Sequence, residues 1–142
     1  MTIRSASCRC GQLMATVIGE PVRVSVCHCL DCKKRSGSAF AVQARWPGDR
    51  VTIEGRSKTW VNIADSGNSI TFHFCPQCGS DVHYEIDGKF DGLVAIPLGA
   101  FDDPYSLSPK FSVWEHRKHD WVEILGDEVE HSSQVQPPHA SR

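Results

Sequence analysis

Short runs of branched and aromatic residues recur along the chain, and glycine, proline, aspartate and asparagine separate most of them. Such runs bounded by turn residues are typical of short β-strands. No amphipathic run reaches the length of an ordinary helix, so the pattern predicts a mainly β domain. The predicted strands include residues 15–18, 40–46, 51–53, 69–74, 82–84 and 93–96.

Two segments depart from this pattern. A short helical turn is predicted to begin near Leu30, to cover residues 31–36 and to end at Gly37, because glycine readily adopts the left-handed conformation that closes a helix. Residues 126–142 are polar and contain a Pro-Pro pair, which predicts a flexible C-terminal tail. The 142-residue chain is therefore interpreted as one domain, residues 1–125, followed by this tail.

The overall charge limits the classes of molecule that the chain is expected to bind. The formal net charge is -2 and the sequence pI is 6.4, so nothing at this level indicates binding to nucleic acid or to an anionic membrane. No apolar run approaches the roughly 20 residues of a membrane helix, and the first residues lack the apolar stretch of a secretory signal. We expect a cytoplasmic location, with no membrane or nucleic-acid partner. The sequence does not indicate an oligomeric state.

The chain contains seven cysteines, an odd number that cannot pair completely within one chain. Clustered thiols in the reducing cytoplasm are more often metal ligands or catalytic groups than disulfides. Four thiolates close a tetrahedral zinc site, whereas three leave one position for water or a substrate. The cysteines form three clusters: Cys8 and Cys10; Cys27, Cys29 and Cys32; Cys75 and Cys78.

The first and third clusters supply two ligands each. Cys75 and Cys78 flank a tight turn that directs both sulfurs to one ion, and Gly79 lets the backbone bend there. Cys8 and Cys10 stand at positions i and i+2, which share a face if this stretch is a strand. Together the two clusters predict a closed site of four thiolates.

The middle cluster predicts a more open site. Cys27 and Cys29 share a face if the chain is extended, and Cys32 returns to the same ion if the chain turns at Leu30. This gives three thiolates and a vacancy. Other interpretations are buried apolar cysteines, a different division of the ligands, or His28 in place of a cysteine.

These clusters and several later motifs resemble the glutathione-dependent formaldehyde-activating enzyme family, which includes the centromere-protein-V-like proteins. The resemblance covers about residues 4–125, and the combination of motifs is specific although each one alone is weak. The matching segments are residues 7–11, 27–32, 36–38, 74–80, 98–104 and 121–124.

The resemblance implies a β-tent, in which two small antiparallel sheets meet at an angle and are stitched by zinc. It also implies two zinc ions per chain. By resemblance, Cys8, Cys10, Cys75 and Cys78 hold the structural ion. Likewise, Cys27, Cys29 and Cys32 hold the catalytic one. The implied activity is the condensation of formaldehyde with glutathione to S-hydroxymethylglutathione, classed in the reverse direction as a carbon-sulfur lyase.

Three cysteinates suit this chemistry. Their donated charge weakens zinc as a Lewis acid, so a bound water is less acidified than on a zinc with neutral ligands, and hydrolysis is not favoured. An incoming thiol suits the vacancy better, because zinc favours its thiolate form. We therefore expect a small-molecule thiol, such as glutathione, and an aldehyde as partners.

The rest of the ligand site is less defined. Lys33, Lys34 and Arg35 are predicted to attract the carboxylates of glutathione, and Ser36 to lie beside backbone N–H groups that bind the ligand. The alternative is a solvated basic turn. His73 and His83 are interpreted as ordinary strand residues. Alternative functions are a non-catalytic zinc module that binds a thiol metabolite, a protein or nucleic acid, and a carrier or sensor for aldehydes or metal.

Overall fold

The structure, a computed structural model, describes residues 1–64, 67–88 and 90–133. These residues form a mainly β fold with one α-helix, α1 (Leu30–Ser36), and three short 3₁₀ helices at Gly48–Arg50, Leu98–Ala100 and Glu115–Arg117. The strands are β1 (Ile3–Ser7), β2 (Met14–Ile18), β3 (Arg23–Cys27), β4 (Ala41–Pro47), β5 (Val51–Glu54), β6 (Lys58–Ile63), β7 (Ser69–Phe74), β8 (Asp81–Ile86), β9 (Leu93–Pro97), β10 (Phe111–Val113) and β11 (Glu130–His131).

The strands make two sheets, which confirms the predicted mainly β, two-sheet architecture. The smaller sheet is antiparallel and has the order β1-β2-β5. The larger has eight strands in the order β11-β10-β3-β4-β9-β8-β7-β6. It is not wholly antiparallel, because β10 runs parallel to both β3 and β11. The strands that pair in parallel, β10 and β11, lie in the last part of the described chain, at positions where no strand was predicted.

The hydrophobic core lies between the two sheets. Ala15 and Val17 of β2 pack in one buried cluster with Ala44 and Trp46 of β4. The Trp46 indole is fully buried, and its Nε1 donates to the Gly19 carbonyl at 3.0 Å. Alternate residues of β4 thus face the core, as the two-residue period of a strand requires.

The intervening residues of the same strands are polar and face away from this core. Ser25 of β3 and Gln43 and Arg45 of β4 are buried on this second face. The Gln43 side-chain amide donates to Ser25 Oγ at 3.1 Å. Because both faces of the larger sheet are covered here, polar residues are enclosed and form the wall of an internal cavity.

The short helix forms where the sequence predicted it. It begins at Leu30 and ends at Ser36, and Gly37 closes it with φ 67° in the left-handed region. The predicted strand over residues 69–74 coincides with β7. The sequence patterns did not identify β1, β3, β6, β10 or β11.

The predicted C-terminal tail contains one of these additional strands. Within residues 126–133, β11 pairs with β10, and the backbone N–H of Glu130 donates to the Lys110 carbonyl at 2.9 Å. β11 lies wholly within the predicted tail, whereas its partner β10 lies within residues 1–125. Residues 134–142 lie outside the described part of the chain, and the division into 1–125 and 126–142 stays a prediction. None of the helices in the described part is long and apolar enough to cross a membrane.

Candidate metal centres and ligand cavity

Four cysteines meet where the two sheets approach each other. Cys8 and Cys10 lie in the turn after β1, and Cys75 and Cys78 lie in the turn after β7. The Cys10 sulfur is 3.6 Å from both Cys8 Sγ and Cys75 Sγ, and all four sulfurs lie within 4.8 Å of one another. The group can hold a metal ion, and zinc is consistent with four sulfur donors.

The surrounding N–H groups point at these sulfurs. The Leu13 backbone N–H donates to Cys8 Sγ at 3.3 Å, and the Gln12 side-chain amide donates to Cys75 Sγ at 3.0 Å. Such donors stabilise negative charge on sulfur, which a metal-bound thiolate carries. The expected strand geometry at Cys8 and Cys10 is wrong in detail: the pair lies in a turn just beyond β1, and the turn brings the sulfurs together.

The other three cysteines converge around the start of α1. Cys27 ends β3, Cys29 is the N-cap of the helix, and Cys32 lies in its first turn. The Cys32 backbone N–H donates to Cys29 Sγ at 3.3 Å, and the three sulfurs lie within 4.8 Å of one another. The turn at Leu30 that the sequence required is present, so this group can also hold a metal ion.

The chemistry of this group fits a bound cation. Contacts with the thiols of Cys29 and Cys32, together with burial, raise the pKa of Cys27. Three clustered thiolates would repel one another, and a divalent cation among them removes that cost. The donor set therefore agrees with zinc held by three sulfurs.

A cavity of about 280 Å³ opens directly from the three-cysteine group. That volume lies near the lower end of the range for small-molecule sites, roughly 300–1,000 Å³. The four-cysteine group does not line it. Besides the three cysteines, its wall includes Arg23, Ser25, Arg35, Gln43, Arg45, Phe72, Tyr84, Phe90 and Trp114.

Two arginines in this wall stand directly opposite each other on neighbouring strands. Arg23 of β3 is the cross-strand partner of Arg45 of β4, a pairing that is unfavourable between like charges. Burial and the Arg45 guanidinium lower the pKa of Arg23, against a smaller opposing effect of the Glu130 carboxylate. Within the described residues no carboxylate lies at ion-pair distance from either arginine, whereas Phe90 lies close to both guanidinium groups. This wall is therefore suited to an anionic ligand.

A third arginine links the cavity to the cysteines. The Arg35 guanidinium lies 3.6 Å from the Asp81 carboxylate and over the Tyr84 ring, at 5.0 Å from its centroid. It also interacts with the Cys32 thiol. Burial raises the pKa of Tyr84 to about 12, so its phenol stays protonated at neutral pH and can donate a hydrogen bond. Arg45 donates to the phenol oxygen at 3.4 Å, which leaves the hydroxyl proton for another acceptor.

Of the ligand residues expected from the sequence, Arg35 lines the cavity, whereas Lys33, Lys34 and Ser36 occupy other positions. The Lys33 ammonium donates to the Arg117 carbonyl at 2.6 Å, and Ser36 Oγ donates to the Cys32 carbonyl within its own helix at 2.8 Å. Lys34 is exposed. None of the three lines the cavity, and their role in ligand binding stays a prediction.

Two further residues shape the region. His28 is fully buried and shares a hydrogen bond of 2.9 Å between Nε2 and Ser112 Oγ, and burial lowers its pKa. It lies outside the group of three sulfurs. Trp114, in the cavity wall, has φ 59°, and among the described residues it is the one non-glycine residue with positive φ. Such backbone strain is frequent beside ligand sites.

Sequence reasoning missed Arg23, Arg45 and Tyr84. A signal was present in β3, where Arg23 and Ser25 alternate with valines and lead to Cys27. The same alternation occurs in β4. In both strands the alternation indicates one polar face, and in β3 that face ends at Cys27 of the three-cysteine group.

The fold and the two sulfur groups define a mainly β protein able to bind metal through clustered cysteines. The chain belongs to the glutathione-dependent formaldehyde-activating enzyme family, whose sequence pattern it matches over residues 3–117. Its fold is also similar to the crystal structure of a Rhodobacter sphaeroides protein. The two share 16% sequence identity, with a TM-score of 0.53 over 74% of this chain and 91% of that chain. The resemblance inferred from the motifs is thus confirmed.

Proposed function

We propose that the chain holds two zinc ions, a structural one at the four-cysteine group and a catalytic one at the three-cysteine group. We further propose that it condenses formaldehyde with glutathione to S-hydroxymethylglutathione. In reverse this is a carbon-sulfur lyase reaction. The description of the family supports the two substrates. The observation that carries the proposal is the cavity that meets the three-cysteine group.

The division of roles rests on the number of sulfur donors. Four sulfurs complete a tetrahedral shell, so that group has no position for a substrate. Three sulfurs leave one position, and the cavity gives a small molecule access to it. Zinc at this position would favour the thiolate form of an incoming thiol.

The charged wall is suited to the rest of the thiol substrate. Arg23 and Arg45 would bind its carboxylates. The side-chain oxygen of Gln43, which has no hydrogen-bond partner among the described residues, would accept from an amide or ammonium group. Charge-assisted hydrogen bonds to guanidinium groups are among the stronger ones in proteins. Holding both ends of the thiol in place would raise its effective concentration at the aldehyde.

The reaction moves one proton. The substrate sulfur forms a bond to the aldehyde carbon, the carbon-oxygen double bond becomes single, and the proton lost by the thiol ends on the new hydroxyl oxygen. Tyr84, with its phenol proton available, would donate a hydrogen bond to that oxygen as charge develops on it.

The test is turnover above the spontaneous rate. Exchange between free and formaldehyde-bound glutathione would be followed by NMR in wild type, Cys29→Ser and Tyr84→Phe, with enzyme-free samples as the baseline. We expect acceleration in wild type, loss of it in Cys29→Ser and a rate reduced about 10²-fold or more in Tyr84→Phe. No acceleration by metal-replete wild type, despite glutathione binding, would support the non-catalytic thiol-binding alternative instead.

A further inference from the structure

The β7–β8 hairpin carries a second set of polar side chains on the face opposite the cavity. Phe72 and Tyr84 are cross-strand partners and line the cavity. Their neighbours His73 and His83 are also cross-strand partners, and strand alternation turns them to the other face. A β-bulge follows His73 directly, a feature that re-aims side chains and is frequent next to functional sites.

The two imidazoles and one carboxylate form a compact group. The rings of His73 and His83 are nearly parallel, at 8°, with centroids 4.1 Å apart. Glu85, two residues after His83 on the same face, directs one oxygen to each ring. Its Oε2 is 2.7 Å from His73 Nε2 and its Oε1 is 3.6 Å from His83 Nδ1.

His83 lacks the partners that a buried imidazole normally has. Its side chain is 7% exposed, and neither ring nitrogen has a hydrogen-bond partner among the described residues. Most buried polar side-chain atoms in proteins are hydrogen-bonded, and an unsatisfied one is unfavourable. The contact of 3.6 Å with Glu85 is thus the one polar contact of the His83 ring among the described residues, and it is longer than a hydrogen bond. The site is also accessible, since His73 and Glu85 are partly exposed.

We propose that His73, His83 and Glu85 bind a divalent first-row transition-metal ion, Zn²⁺ in particular, at a site separate from both cysteine groups. Two imidazoles and a carboxylate are ligands that such ions accept. With zinc–ligand bonds of about 2.0–2.1 Å in tetrahedral geometry, two donors lie about 3.4 Å apart. The distances from the Glu85 oxygens to the two ring nitrogens, 2.7 and 3.6 Å, bracket this value. Because the stacked rings direct their nitrogens along nearly parallel planes, one imidazole would rotate about its side-chain bonds when the ion binds.

An ion here would tie β7 to β8 directly behind Phe72 and Tyr84. These two aromatic rings lie 5.2 Å apart in the cavity wall. Metal binding at this group would therefore stiffen the hairpin that presents Tyr84. Three protein donors leave a position for water, so the ion would stay exchangeable.

The test compares zinc binding by wild type and His73→Gln. Each chain would be equilibrated with zinc, passed through gel filtration, analysed for metal content and then titrated calorimetrically with Zn²⁺. We expect wild type to bind one more ion than His73→Gln, or to bind it at least tenfold more tightly, because even outer partners of metal ligands change affinity about 10–100-fold. Glu85→Gln should weaken the binding of the same additional zinc ion. In ¹⁵N spectra, zinc should shift the ring nitrogens of His73 and His83.

His131→Gln is the matched control. His131 also contacts a carboxylate, with Nδ1 at 2.6 Å from Glu115 Oε2, but within the described part of the chain no second imidazole stacks on it. This variant should bind zinc like wild type. Cys29→Ser should also bind this additional zinc ion, which distinguishes the histidine site from the site of the proposed catalytic ion. Equal zinc binding by wild type and His73→Gln, or no binding beyond the cysteine groups, would overturn the proposal.

Discussion

The two cysteine groups differ more in their setting than in their chemistry. The four-cysteine group joins segments that are far apart in the chain, since Cys10 and Cys75 are separated by 65 positions. The three-cysteine group spans one strand end and one helical turn. A metal that joins distant segments constrains the fold, whereas a metal held by a local turn leaves the fold intact when it departs. The same kind of metal ion can thus stabilise the fold at one group and bind the substrate at the other.

The largest expected difference between the groups is in folding. Cys8→Ser should remove the ion that joins the sheets, and structural zinc contributes roughly 10–16 kcal/mol in zinc-finger peptides. Losing even about 5 kcal/mol would lower Tm by about 20 °C in a domain of this size. Cys29→Ser should keep a Tm close to wild type while losing one zinc. Thermal unfolding with elemental analysis measures both; similar Tm losses in the two variants would contradict the division.

The next difference concerns which site accepts a thiol. Glutathione should bind through its sulfur at the three-cysteine group, and S-methylglutathione should bind about a hundredfold more weakly or worse, because a thioether cannot become an anionic ligand. Calorimetry gives the affinities. In cobalt-substituted protein, the visible spectrum should change with glutathione and not with its S-methyl form. Equal affinity with an unchanged spectrum would rule out coordination by the thiolate.

A smaller effect separates the cavity wall from the exposed helix. Arg23→Gln should weaken glutathione binding about 10–100-fold, since a hydrogen bond to a charged group contributes roughly 1.5–3 kcal/mol. Lys34→Gln, the matched loss of a basic residue outside the cavity, should change affinity by less than about twofold, as expected for an exposed charge. If Lys34→Gln had the larger effect, the ligand would lie along the helix, as the sequence suggested, and not in the cavity.

The smallest expected difference between the two cysteine groups is in the rate at which they lose their metal ions. A mild chelator should remove the ion of the three-cysteine group first, because the open position gives a competing ligand access. Glutathione should slow that removal by occupying the position. Metal content measured over time in wild type and Cys29→Ser identifies the ion that leaves; simultaneous loss of both ions from wild type would argue against an open and a closed site.

The parts that sequence could predict are those fixed by local spacing. Cys75, Cys78 and Gly79 determine a tight turn by themselves, and Leu30 with Gly37 bounds a helix. Strands with branched residues on both faces, such as β7, were also recognisable. These features depend on neighbours within a few positions, where backbone preferences decide the outcome.

The parts that sequence could not predict depend on which strands become neighbours. Arg23 and Arg45 meet only because β3 pairs with β4 in one register, and a shift by one residue would turn one of them to the core. The group of His73, His83 and Glu85 has the same origin. The parallel pairings of β10 join segments distant in sequence, and short strands such as Phe111–Val113 carry too little pattern to be recognised.

The parallel strand β11 has a practical consequence for making the protein. A chain shortened to residues 1–125 would remove β11 and expose one side of β10. The carbonyl of Ser112 in β10 accepts from Ser132, and that of Lys110, just before the strand, accepts from Glu130. An uncovered edge of this kind is a template for pairing with other molecules. Such a truncation would therefore favour aggregation, so a chain made for experiments should extend at least through Ser132.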